Sequence, residues 1–199
     1  MATAKTTIFL SIDLEVSGPY PTNGIISCGL CLGEWNNGEN TILQNFRVDV
    51  NTKEIEFDQD CKVRFWDKNP HLLKEFDKNA LPRKDALAKI GKWFDDIDEK
   101  YTNDKYNFIL VSDRPSLDIA VLNSELFTFT KRRPIDYGPK GEYRSILVVD
   151  DALFLDTAPW PKILVEHDHM PENDSRYNFY LACYAYNRKN KITTNTTQS

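Results

Sequence analysis

Two β-prone apolar runs near the amino terminus constrain the fold more than any other feature. Residues 7–14 (TIFLSIDL) read as a strand, residues 15–23 (EVSGPYPTN) as a turn dense in Gly, Pro, Ser and Asn, and residues 24–34 as a second strand. Residues 35–40 (WNNGEN) carry a hairpin signal, and 41–50 then alternate as a third strand. The chain therefore opens as an antiparallel three-strand meander.

Helical patterns follow. Asn69-Pro70 is a helix start, with Leu72, Leu73 and Phe76 as its apolar face. From Arg83 to Tyr101, the residues Leu87, Ile90, Phe94, Ile97 and Tyr101 step by three and four, the spacing of one buried stripe. Residues 107–112 (NFILVS) read as a fourth strand, and Leu117, Ala120, Val121 and Leu126 as the apolar side of a further helix. Residues 127–145 are polar, basic and rich in Pro and Gly, which predicts a long loop; 146–155 predict a last strand or a short helix, and 172–188 a final helix. The expected fold is an α/β domain over residues 1–188, a mixed central sheet with the meander at its start and helices flanking it. The polar end, 189–199, is expected to be a disordered tail. The element order is compatible with a ribonuclease H-like sheet.

Composition narrows the function classes. A length of 199 residues suits one domain, and 41 % hydrophobic residues suffice for a core without disulfides. No apolar run approaches the ~20 residues of a membrane span, and residues 1–8 lack a signal-peptide layout, so the expectation is a soluble, intracellular, cytoplasmic protein with no membrane partner. The net charge of −5 and pI near 5.3 argue against binding nucleic acid through a broad basic face. They leave room for an enzyme whose bound metal ions supply positive charge locally. Cys28 and Cys31 form a C-x-x-C, but on a strand residues three apart face opposite ways, and no second pair completes a zinc site.

Three segments concentrate chemistry. Asp13 and Glu15 end the first strand two residues apart, so both side chains leave on one face. Two such carboxylates repel unless a cation lies between them. Asp118 lies early in the helix after strand 107–112, and Asp113, just ahead, is a candidate helix N-cap. Pro171 suits the first turn of the last helix, which sets His169 just before it and Asp174 in its first turns. Each segment alone also reads as ordinary strand-end or helix-start acids. Together they supply four acids and a histidine. Oxygen-rich clusters suit Mg²⁺ or Mn²⁺. Two such ions ~3.5–4 Å apart bind both the attacking and the leaving oxygen of a phosphodiester.

The order Asp-x-Glu, internal Asp, then His-x4-Asp resembles the DEDDh family of 3′–5′ exonucleases, over residues 7–188. The Phe65–Pro70 segment (FWDKNP) resembles a piece found in phage and viral members. The resemblance implies a ribonuclease H-like fold, with Asp13, Glu15, Asp118 and Asp174 holding two divalent metal ions, Mg²⁺ or Mn²⁺, and His169 acting as general base on the 3′ end of DNA or RNA. Ser112-Asp113-Arg114-Pro115 stands where many members have His-Asn. Further candidates for substrate contact are Ser17, Gly18, Asp113, Lys131, Arg132, Arg133 and Tyr137. Lys140, Arg144 and Tyr143 lie in the same stretch, and the basic run reads equally well as a solvated loop. Two other functions fit the same residues: an inactive nucleic-acid-binding or protein-interaction module, and a metal phosphodiesterase acting on a small nucleotide.

Overall fold

The structure, a computed structural model, describes residues 5–102, 105–138, 140–149, 165 and 168–189. It is built on a five-stranded mixed sheet. The strands are β1 (Thr6–Val16), β2 (Ile25–Asn36), β3 (Glu39–Asp49), β4 (Tyr106–Ser112) and β5 (Ser145–Val148), in the order β3-β2-β1-β4-β5. The first three form the expected antiparallel meander, while β4 and β5 add in parallel beyond β1. The turn between β2 and β3 has two residues, Asn37 and Gly38, both at positive φ (50° and 97°). That is the mirror-image geometry that matches strand twist, and Asn-Gly is its preferred pair.

Among the described residues the longer helices are α1 (Pro70–Asp77), α2 (Arg83–Tyr101), α3 (Asp118–Thr130) and α4 (Pro171–Lys189). Alternation along β1 divides the core. Ile8, Leu10, Ile12 and Leu14 face one side, where they pack with the α2 stripe of Leu87, Ile90, Phe94 and Ile97 and with Val121, Leu122 and Leu126 of α3. Phe9 faces the other side and packs with Phe179, Leu181, Ala182 and Cys183 of α4. The two cysteines of the C-x-x-C are split accordingly, Cys28 to the first cluster and Cys31 to the second, and both are free thiols.

Three local expectations change. The segment read as a loop from 127 begins as helix: α3 continues to Thr130, because Phe129 packs on the main core and the Arg83 guanidinium lies 4.9 Å from its ring centre. Asp113 is not a helix N-cap, since α3 starts five residues later and Leu117 occupies the cap position. Between β3 and α1 the chain forms short helical pieces that no apolar period announces, Gln59–Cys61 and a π-helical turn, Lys62–Trp66. The last-strand expectation for 146–155 is met by β5 as far as Val148; residues 150–155, His167 and most of the polar tail lie outside the described residues.

Candidate active site

The site gathers at the rim where β1 ends and α3 and α4 begin. Pairing between β1 and β4 stops at Ser11↔Val111, so Asp13 and Glu15 extend past the parallel ladder on the face toward α4. The following turn is closed by Ser17, whose backbone N–H donates to the Gly24 carbonyl (2.9 Å) and whose Oγ accepts the Gly24 N–H (3.0 Å). Asp118 is the first residue of α3, almost fully buried, and accepts a hydrogen bond from Ser112 Oγ at 2.6 Å. Ser112 is the last residue of β4, so one hydroxyl ties the strand end to the helix start.

The third segment is held more elaborately. His169 has a left-handed backbone (φ 61°), which turns the chain sharply into α4. Asp174, buried in the first turns of α4, accepts the Asp168 N–H at 3.0 Å. Asp168 in turn accepts the Met170 N–H at 3.2 Å and a bond from Asn173 Nδ2 at 3.3 Å. The start of α4 lies directly on Gly29 of β2, the residue opposite Asp13, where a Cβ would come within 2.0 Å of the Pro171 backbone. Arg47 on β3 clamps the same turn, donating to Glu172 (2.8 Å) and to Asp49 (2.9 Å).

These supports bring Glu15, His169 and Asp174 together with one ligand atom from each within 4.8 Å of the others. His169 Nδ1 stands 3.5 Å from Glu15 Oε1. The histidine is 53 % exposed at the mouth, with the edge of Phe65 against its ring (centres 5.1 Å apart). Asp13 keeps part of its surface at the mouth yet lies deep among protein atoms. Burial, and then the charges of Asp118, Asp174, Glu15 and Asp113, raise its pKa well above the usual carboxylate range. Glu15 is pushed up to about 8, by burial first and then by Asp174, Asp118 and Asp113. Asp118 rises to about 7, again by burial first, against the lowering effect of the Ser112 bond. Acids this crowded favour a bound cation or a bound proton. The four carboxylates form an oxygen donor set, which fits Mg²⁺ or Mn²⁺ better than zinc.

The chain folds as 3′-exonucleases do. Exonuclease I in its product-bound form superposes with a TM-score of 0.61 at 12 % identity, over 96 % of this chain and 45 % of that one. Exonuclease I in complex with a dT13 oligonucleotide gives 0.62 at 14 %, over 95 % and 42 %. A 3′-exonuclease solved for its 3′-end-specific recognition of histone mRNA stem-loop gives 0.55 at 13 %, over 96 % and 85 %. The fold is thus ribonuclease H-like, and the chain spans less than half the length of exonuclease I. No protein-family model matches the chain, and no curated protein matches it in sequence.

The other candidate residues lie elsewhere or are engaged. Ser17 closes its own turn, and Gly18 is packed so tightly that a Cβ would meet the Asn23 and Asp58 side chains at 2.5–2.6 Å. Asp113 belongs to the electrostatic neighbourhood of the acids and has Arg114 at 3.9 Å. Lys131 caps the far end of α3, roughly 20 Å along the helix from Asp118. There its ammonium lies over the Phe127 ring. Arg132 donates to Asp95 and Asp98 of α2, both at 2.9 Å, and Arg144 joins it on Asp98. Arg133 donates to the Gly138 carbonyl (3.4 Å), the tilted rings of Tyr137 and Tyr143 lie against each other (centres 4.1 Å apart), and Lys140 is exposed. Sequence reasoning missed Ser112, Asp168 and Gly29 as supports and gave no role to Phe65. A glycine inside an apolar strand was the one readable signal, because it marks a close approach.

Proposed function

We propose that the protein is a metal-dependent 3′–5′ exonuclease that hydrolyses phosphodiester bonds of DNA or RNA and releases nucleoside monophosphates. The observation that carries this reading is the convergence of Asp13, Glu15, Asp118 and Asp174 with His169 at one rim of the sheet. The ribonuclease H-like fold supports it, as does the joint spacing of the DEDDh motifs. The Phe65–Pro70 segment supports a position near the phage and viral members of that family.

Asp13, Glu15, Asp118 and Asp174 would hold two divalent ions, Mg²⁺ or Mn²⁺. Such ions lower the pKa of bound water and stabilise charge on the attacking and leaving oxygens. Ser112 keeps Asp118 oriented, and the Asp168 N–H does the same for Asp174. His169 is the general base. Its exposure at the mouth lets it take a proton from the attacking water and pass it to solvent, and Phe65 limits the ring's swing. The basic groups at the far end of α3 touch only a substrate long enough to span that distance.

An oligonucleotide labelled at its 5′ end, incubated with protein and Mn²⁺, tests the proposal. The expected result is a ladder shortening one nucleotide at a time, absent in excess EDTA. Internal cleavage, or an undiminished ladder in EDTA, would overturn it. Turnover of a small nucleotide ester with intact oligonucleotide would favour the phosphodiesterase function, and binding without cleavage the inactive module.

A further inference from the structure

One strand repeat behind Asp13 and one helical turn beyond Asp174 stand two buried polar side chains that the chemistry above does not use. Ser11 is fully buried on β1 and Asn178 nearly so on α4. Neither Ser11 Oγ nor Asn178 Nδ2 finds a hydrogen-bond partner among the described residues. Leaving such groups unsatisfied is costly, so an unpaired pair at one place calls for an explanation.

Their positions follow from strand and helix arithmetic. Ser11, Asp13 and Glu15 alternate onto the same face of β1, so Ser11 lies ~6.7 Å behind Asp13, away from the rim. Asn178 is one helical turn beyond Asp174, ~6 Å along α4, on the same side of the helix. β1 ends at the rim and α4 starts there, so both steps lead from the rim into the interior. Packing fixes the relative level. Gly29, opposite Asp13, lies under Pro171, while Gly33, opposite Phe9, lies under Phe179. The Phe9 ring then meets Phe179 (centres 6.3 Å apart) and Tyr186 (4.8 Å). Ser11, between Asp13 and Phe9 on β1, therefore falls at the level between Pro171 and Phe179 on α4; of the buried polar side chains in that stretch, Ser175 donates to the Glu172 carbonyl (3.3 Å), and Asn178 Nδ2 is the one left unpaired among the described residues.

We propose that Ser11 and Asn178 are positioning residues for the metal site, holding one water molecule between them that fixes the Asp13 carboxylate from below. A buried water typically makes about three hydrogen bonds. Here Asn178 Nδ2 donates one to the water, Ser11 Oγ is its second partner, and the Asp13 carboxylate above accepts a third. Groups behind metal ligands orient them, and removing such a group typically weakens metal affinity about 10–100-fold. The inference rests on the metal-binding reading of the acids.

Titration of Mn²⁺ into the metal-free protein by calorimetry, with the melting temperature of each metal-free variant, tests it. Ser11→Ala and Asn178→Leu should each weaken Mn²⁺ binding by about 10–100-fold. The double variant should be little worse than either single one, because both act through one water. Ser11→Thr, which keeps the hydroxyl, should bind as the wild type does, and any fall in metal-free melting temperature should be small and should not scale with the loss of affinity across the variants. Wild-type affinity in both Ser11→Ala and Asn178→Leu would overturn the proposal while leaving the metal site standing. A fall in metal-free melting temperature that parallels the loss of affinity would overturn it too, by making the pair an ordinary core contact. A wild-type protein that binds no Mn²⁺ would overturn both the proposal and the metal site.

Discussion

Acids cluster in two regions of this molecule, and the two clusters are built in opposite ways. At the carboxyl end of α2, Asp95 and Asp98 face the guanidinium groups of Arg132 and Arg144, and a second Arg144 nitrogen donates to the Ile135 carbonyl at 2.7 Å. There the charges balance and the contacts join α2 to the chain after α3. At the sheet rim, Asp13, Glu15, Asp118 and Asp174 crowd together with Asp113 nearby, and these charges add to burial in raising the pKa values of Asp13 and Glu15. An acid cluster that serves architecture carries its own cations, whereas acids that raise one another's pKa values in a buried rim favour a cation from outside.

Substitution should separate the two clusters sharply. Asp13→Ala or Asp118→Ala should cut exonuclease turnover on the order of 10⁴-fold or more, ~5 kcal/mol of transition-state stabilisation. Asp13→Ala should also leave the metal-free melting temperature unchanged or higher, since repulsion is relieved. Near-normal turnover in either variant would erase the contrast. His169→Ala should cost roughly 10²–10⁴-fold in turnover and leave the acids' Mn²⁺ binding largely in place. A larger loss in His167→Ala would move the role of base to that residue. Asp98→Ala should behave in the opposite sense to Asp13→Ala. It removes the carboxylate that Arg132 and Arg144 share, leaving Arg132 with Asp95 and Arg144 with the Ile135 carbonyl, and should lower stability by about 3 kcal/mol, measured by denaturant unfolding, with turnover per folded molecule intact.

A last contrast lies in pH dependence. Burial first, then the neighbouring acids, push Glu15 up to about 8 and Asp118 up to about 7 in the folded protein, above the ordinary carboxylate values of the unfolded chain. Between those limits the folded state holds protons that the unfolded state releases, so stability falls as pH rises. The metal-free protein should melt lower at pH 8 than at pH 5. Mn²⁺ should raise the melting temperature far more at pH 8, where the acids are ionised, than at pH 5. Equal shifts at both values would mean that the metal binds elsewhere.

Much of this arrangement was legible because it rests on local rules. The Asn37-Gly38 turn, the alternation of β1 and the three-and-four stepping of α2 each act over a few residues, so pattern alone locates them. The opposed faces of Cys28 and Cys31 follow from the strand period. What escaped depends on distant partners. Arg132 reads as part of an exposed basic run until α2 brings Asp95 and Asp98 beside it. The extension of α3 to Thr130 depends on a pocket for Phe129 and on Arg83, far away in sequence. Ser112 looks like an ordinary strand-end polar residue, and only the start of α3 gives its hydroxyl a carboxylate to hold. The Lys62–Trp66 turn has no apolar period to read, since its geometry comes from burying Trp66 and setting Phe65 against His169.

Calorimetric titration of Mn²⁺ into the metal-free protein at pH 8 tests the claim that the rim acids form a metal centre most directly. The wild type should bind two ions per chain in the presence of a nucleoside monophosphate, and Asp118→Asn should lose at least one of them. Failure of the wild type to bind, or undiminished binding by Asp118→Asn, would contradict the assignment.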